Sequence, residues 1–241
     1  MTIPERKTTT HTRRWVRTLS AVALALIFVT TSVRFAANSL SLYDALFDRH
    51  GVSEQTGITD EGLRDVGRQV QNYFNSASEP LQVSTEVFGR ERELFTALEV
   101  EHMADVKQLF LRTYRAQGAA ALYLLIVSVV AVATLRRRAV SELGRWLQWG
   151  AVLTAVAIVI AGGMSIVAFG PVFNLFHALG FPQGNYLFDP RTSLLVQVFP
   201  FGFWRDVTLV VGAVTLAQAG LSWVVGYGLA RCVRGWQGVS T

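Results

Sequence analysis

Four stretches of this chain, 15–37, 118–135, 149–170 and 207–230, are apolar over lengths that match the thickness of a bilayer. A helix rising about 1.5 Å per residue needs roughly 20 mainly apolar residues to cross a hydrocarbon core of about 30 Å. At that depth an irregular backbone or an open sheet leaves polar groups unpaired, so helices are what these stretches can form. The second is the shortest, yet the run from Ala119 to Val127 carries no charge. The expected fold is an all-α membrane protein: four transmembrane helices, a mainly helical extracytoplasmic domain and an aromatic-rich interfacial loop.

The flanks predict the orientation. Arg6, Lys7, Arg13, Arg14 and Arg17 lie before or at the start of the first span, Arg136, Arg137, Arg138 and Arg145 lie between the second and third, and Arg231 and Arg234 follow the fourth. Short loops rich in Arg and Lys stay cytoplasmic. Residues 1–14, 136–148 and 231–241 are therefore assigned to the cytoplasm. Residues 38–117 hold 8 Arg or Lys against 13 Asp or Glu, and residues 171–206 hold 2 against 2. These two segments are assigned to the extracytoplasmic face of the cell membrane. The net charge of +5 is thus a topological signal and no nucleic-acid signature. The basic flank and apolar run at 15–37 could also be read as a cleavable signal, but no small-x-small pattern follows near Phe35, so a retained span is expected. Cys232, the single cysteine, lies at the cytoplasmic end of the last span and reads as an inert small residue.

Within residues 38–117, Gly57 and Thr59 precede Leu63, Val66, Val70 and Phe74 at spacings of three and four, which predicts an amphipathic helix. Residues 75–80 break it. Leu81 to Phe88 alternates as a short strand or extended connector does, and from Arg90 a second helical pattern places Phe95, Leu98, His102, Asp105 and Leu109 on one stripe. The segment from Phe169 to Trp204 holds ten aromatic residues interrupted by Pro171, Pro182, Pro190 and Pro200. Its breaks predict an interfacial or re-entrant segment, with Asp189 as N-cap and Pro190 as first residue of a helix that stops before Pro200. His50 lacks a motif and His11 lies in the cytoplasmic flank, so neither is a site candidate.

Two of these segments carry a resemblance. The run Leu94 to Leu109, with its core Glu101-His-Met-x-Asp-Val106, and Phe176-His-x-Leu179 followed by Leu187-Phe-Asp-Pro-Arg-Thr-Ser and the Phe-Pro-x-x-Phe-Trp204 run, are similar to the two signatures of the bacterial lipoprotein intramolecular transacylases. A weaker echo lies in Gly57-Ile-Thr-x-Glu and Tyr73-Phe. One departure is Ser193, where the family pattern has an acidic residue. The resemblance implies a membrane acyltransferase that moves an acyl chain from the glycerol of a diacylglyceryl-cysteine to the α-amino group of that cysteine, giving a lyso-form lipoprotein. Its motif histidines carry over to His102 and His177. The implied partners are a diacylated bacterial lipoprotein and membrane lipid, with no cofactor, no metal and no nucleic acid.

The residue chemistry fits such a reaction. Imidazole titrates near pH 6.5 and can take the ammonium proton and deliver one to the leaving glycerol oxygen. Asp105, three residues after His102, is the expected orienter of its ring. Lys107 and Arg191 are candidates for a headgroup phosphate or the oxyanion, with solvated charge as the plainer expectation. Asp189 and Trp204 complete the candidate substrate-binding set. The competing functions are a non-enzymatic membrane binding or assembly protein and a metal-dependent membrane hydrolase using His102, Asp105 and His177.

Overall fold

The computed structural model describes the backbone of residues 5–237 and the side chains of residues 14–136 and 138–231. The expectations for His11, Cys232, Arg6, Lys7, Arg13 and Arg234 lie outside the described side chains. Along the chain run α1 (Glu5–Ala37), α2 (Leu40–Arg49), α3 (Val52–Thr56), α4 (Asp60–Asn75), β1 (Ser84–Val87), β2 (Arg90–Glu93), α5 (Ala97–Leu135), α6 (Arg137–Gly180), α7 (Leu194–Val198) and α8 (Phe201–Gln237). Among the described residues four helical segments are long and apolar enough to cross a membrane: Arg14–Ala37, Ala97–Leu135, Arg138–Gly180 and Phe201–Arg231.

The chain divides into two compact units. The first comprises Met1–Ser32, Tyr114–Ala161 and Gly212–Thr241 and is built from stretches of α1, α5, α6 and α8. Its helices meet through small residues. A Cβ added to Gly144 would lie 2.6 Å from the Gly226 carbonyl, one added to Gly226 would lie 2.5 Å from the Gly144 carbonyl, and Gly150 packs on Leu24. Apolar side chains such as Leu122, Leu125, Ile126 and Val129 face outward, as lipid requires. Hydroxyls join helices: Ser32 Oγ accepts from Thr215 Oγ1 at 2.8 Å and Gln218 Nε2 at 2.7 Å while donating to the Phe28 carbonyl.

The second unit, Val33–Thr113 and Gly162–Val211, has a core of the kind water drives together. Tyr43, Phe47, Phe199 and Phe203 form an aromatic cluster with ring centroids 5.3 to 6.1 Å apart. Val52, Leu63, Val66 and Val70 are buried in the same core. The predicted helix appears as α4, opened by Thr59, whose hydroxyl accepts from Gly62 N, with Asp60 and Glu61 in the first turn. The alternating segment becomes β1, paired antiparallel with β2. Phe88 (φ 50°) and Gly89 (φ 73°) close this hairpin with the two positive φ values of a type I′ turn. Helix was expected from Arg90, but Arg90–Glu93 is a strand whose charged side chains are all exposed, and α5 begins only at Ala97. Strand pairing, which carries no signal in a run of alternating charge, decides those four residues.

Two further boundaries bear on expectation. The third apolar helix is interrupted at Ala168 (φ −143°, ψ 52°), close to the expected end of the span at 170, but the chain does not turn irregular there: a second helical stretch runs on to Gly180. Pro171 lies in the first turn of that stretch, where its missing amide donor costs no helical hydrogen bond. In the 181–193 segment no helix starts at Pro190. The Asp189 carbonyl accepts from Thr192 N and Ser193 N in a turn, and α7 starts at Leu194 with Ser193 as its N-cap.

Candidate active site

α5 carries His102 and the extension of α6 beyond the kink carries His177. Both belong to the second unit. Their rings are nearly parallel, 21° apart, with centroids separated by 6.2 Å. His102 is 7 % exposed and meets the edges of Phe181 and Phe188, at 4.7 and 5.7 Å. His177 is half-buried between Phe173 at 4.1 Å and Tyr186 at 5.2 Å, with Phe176 and Phe181 alongside. The aromatic residues of the second motif thus wall the histidines. His177 Nδ1 lies 2.8 Å from the Phe173 carbonyl, which can only accept, so Nδ1 carries the proton and Nε2 is the free base. An apolar groove of about 420 Å³ lies on the same helix at its kink, lined by Gly163, Val167, Ala168, Pro171 and Leu175 among others.

Asp105 makes no hydrogen bond to His102. Its Oδ2 accepts from Gln183 Nε2 and Asn185 Nδ2, each at 2.6 Å, which ties the 181–189 segment to α5. His102 Nδ1 and Asn185 Oδ1 are both buried without a hydrogen-bond partner. Among the described residues no group of three or more His, Cys, Asp and Glu side chains is placed to hold a metal ion.

Lys107 is no solvated charge. Its side chain is 3 % exposed, Nζ donates to the Ser78 carbonyl at 2.6 Å, pairs with Glu79 at 3.1 Å and lies 4.0 Å from the Tyr73 ring centre. Its alkyl stem is what lets it enter the interior, and its head is fully engaged there. Burial alone would raise the Glu79 carboxyl, but hydrogen bonds with Tyr73 and Lys107, and the charge of Lys107, bring it below its ordinary range. Burial and the hydrogen bond to Glu79 push the Tyr73 hydroxyl up. Arg191 is exposed and grips Asp189 at 2.8 Å, and that hydrogen bond holds the Asp189 carboxyl below the usual carboxylate range. Trp204 is 39 % exposed and packs on Phe199 and Phe203. His50, set aside in the sequence, pairs through Nε2 with the buried carboxylate of Asp206 at 3.1 Å.

Sequence reading passed over Glu99, Gln183 and Asn185. Glu99 is 1 % exposed and accepts four hydrogen bonds, from Thr96 N (2.7 Å), Thr96 Oγ1 (2.8 Å), Ser193 Oγ (2.5 Å) and Leu195 N (3.0 Å). The signal was present: Thr96-x-x-Glu99 is a capping box at the start of α5. Here the carboxylate also holds the N-terminus of α7, and Ser193, the departure from the family pattern, supplies a donor to it. Gln183 and Asn185 sit in a segment without periodicity, and only tertiary structure brings them to Asp105.

Known proteins resemble this chain along most of its length. Residues 18–204 match the sequence profile of the lipoprotein intramolecular transacylase family. The solved structure of the membrane-integral lipoprotein intramolecular transacylase of Bacillus cereus superposes with a TM-score of 0.77 at 17 % identity, covering 96 % of this chain and 100 % of that one. A variant of it with one histidine replaced by arginine superposes at 0.75, with 15 % identity and 97 % of each chain covered. An uncharacterised protein of Aquifex aeolicus (strain VF5) is 29 % identical over 127 residues, so that the chain spans about half the length of the curated relative it matches. With four apolar helices and the fold of an integral membrane enzyme, the chain is a multi-pass membrane protein. It belongs to the lipoprotein intramolecular transacylase family.

Proposed function

We propose that this chain transfers one acyl group of a diacylglyceryl-cysteine lipoprotein from the glycerol oxygen to the α-amino group of the same cysteine, using His102 and His177. The observation that carries this reading is the pair of nearly parallel imidazoles, 6.2 Å apart, in a half-buried aromatic site. The free Nε2 of His177 gives it a base, and the apolar groove on the same helix offers a surface for an acyl chain.

The steps balance without a covalent enzyme intermediate. An α-amino group has a pKa near 8, so a useful fraction is neutral at physiological pH. Its nitrogen attacks the ester carbonyl, and an imidazole Nε2 takes the ammonium proton of the tetrahedral adduct. The C–O bond to glycerol then breaks, and the imidazolium returns the proton to that oxygen. An ester and an amine become an amide and a hydroxyl. Nucleophile and ester belong to one substrate, so holding them together supplies much of the acceleration. The charge bias of the flanks, with Arg136 and Arg138 opposed to the acidic residues 38–117, supports an extracytoplasmic site and cytoplasmic termini.

The test is mass spectrometry of lipoprotein N-termini in a bacterial host that supplies diacylated lipoprotein. Wild-type protein is expected to give the lyso form, and His102→Asn and His177→Asn to lower its formation by about 10²- to 10⁴-fold, the usual worth of acid–base catalysis. An unchanged lipid pattern with well-expressed wild-type protein overturns the reading.

A further inference from the structure

Asp105 lies one helical turn from His102, yet its carboxylate turns to Gln183 and Asn185. An ionised carboxylate only accepts hydrogen bonds, so Asn185 must face it with its NH₂ group, and this fixes which way the carboxamide points. The oxygen of that carboxamide is directed away from Asp105. It is buried and unpartnered, as is Nδ1 of His102, and Asn185 is close enough to the His102 ring to interact with it. A buried acceptor beside a buried group that can donate is a mutual solution, because leaving either unpaired is costly.

We propose that Asn185 is a positioning residue: its Oδ1 accepts from Nδ1–H of His102, fixing the ring in the tautomer whose Nε2 is the free base. Asp105 acts through it, gripping the NH₂ of Asn185 so that the amide cannot turn over. The two histidines then reach the same protonation pattern by different means. His177 is fixed by a carbonyl of its own helix, and His102 by a side chain of the 181–189 segment that an acid on its own helix holds in place. Gln183 shares the Asp105 carboxylate but is exposed, so its own amide oxygen can be met by water. The proposal rests on the reading of His102 as a proton-transfer group.

The experiment is ¹⁵N NMR of histidine-labelled, full-length protein in micelles, with the His102 signals identified by their loss in His102→Asn. Wild-type His102 is expected to show Nδ1 protonated and Nε2 bare when neutral. Asn185→Leu removes the acceptor and is expected to shift His102 toward the Nε2–H form. It also lowers kcat about 10- to 100-fold, the range seen when the partner orienting a ligating imidazole is lost, with KM little changed. Asp105→Asn keeps an oxygen that can accept from the Asn185 amide, so it preserves the tautomer and most of the activity, whereas Asp105→Leu does not. An Nε2–H tautomer in the wild-type protein, or an unchanged tautomer in a folded Asn185→Leu protein, overturns the proposal, and the wild-type spectrum decides it even if that variant fails to fold. Full activity in His102→Asn overturns the catalytic reading instead and leaves the tautomer measurement standing.

Discussion

The two units of the chain hold themselves together by different physics. Among its described residues the first exposes most of its large apolar side chains; what joins its helices is close backbone approach at Gly144 and Gly226 and hydroxyl bonding around Ser32. The second buries Phe47, Phe203, Leu63 and Val66 and satisfies its interior charges with named partners. In lipid, burying a leucine gains little because the solvent is as apolar as the interior, so fit and polar contacts carry association. A core of buried aromatic and branched side chains is instead the kind the hydrophobic effect builds, and the unit that contains it also holds the two imidazoles, 6.2 Å apart.

This contrast breaks most visibly on truncating large apolar residues. Phe203→Ala, at a position 1 % exposed, is expected to cost about 3–5 kcal/mol. Leu125→Ala, 62 % exposed in the first unit, stays within about 0.5 kcal/mol. Thermal unfolding in detergent compares them, and equal losses would erase the distinction. Next in size, Gly226→Ala drives a methyl into the Gly144 carbonyl and is expected to cost about 1–3 kcal/mol, read from the same melts. Polar joining of membrane helices is weaker, so Ser32→Ala is expected to lose about 0.6–1.7 kcal/mol. The smallest effect separates the units by pH. Glu79 has a lowered pKa in the folded protein, so its contribution is complete above the unfolded carboxylate value of about 4.3 and is lost as pH falls through the lower folded value. Wild-type and Glu79→Gln midpoints are therefore expected to differ at pH 7 and converge in acid. A difference that persists at low pH contradicts the charge pairing with Lys107.

What the sequence made legible follows the same division. Long apolar runs announce spans because lipid imposes a length, and α4 announces itself through Thr59 and a stripe from Leu63 to Phe74. The histidines were legible through their motifs. Their surroundings were not: the break at Ala168, after which helix resumes through Pro171, depends on packing, the strand Arg90–Glu93 exists only through its partner, and the Asn185 amide is joined to Asp105 across 80 residues of chain. Lys107 reads as a surface charge by composition and is buried because Ser78, Glu79 and Tyr73 receive it.

The bond between His177 and the carbonyl of Phe173, four residues earlier in its own helix, has a consequence for turnover. With one nitrogen committed to the backbone, the ring has a single port. A proton that enters at Nε2 can leave only by Nε2, so the side chain returns to its starting state by handing the proton back to the molecule in front of it. In the proposed reaction the proton shed by the amine is the one the glycerol oxygen gains. The cycle then closes on the substrate's own hydrogen, with no wire to bulk water to be built into the fold and no recharging step between one lipoprotein and the next.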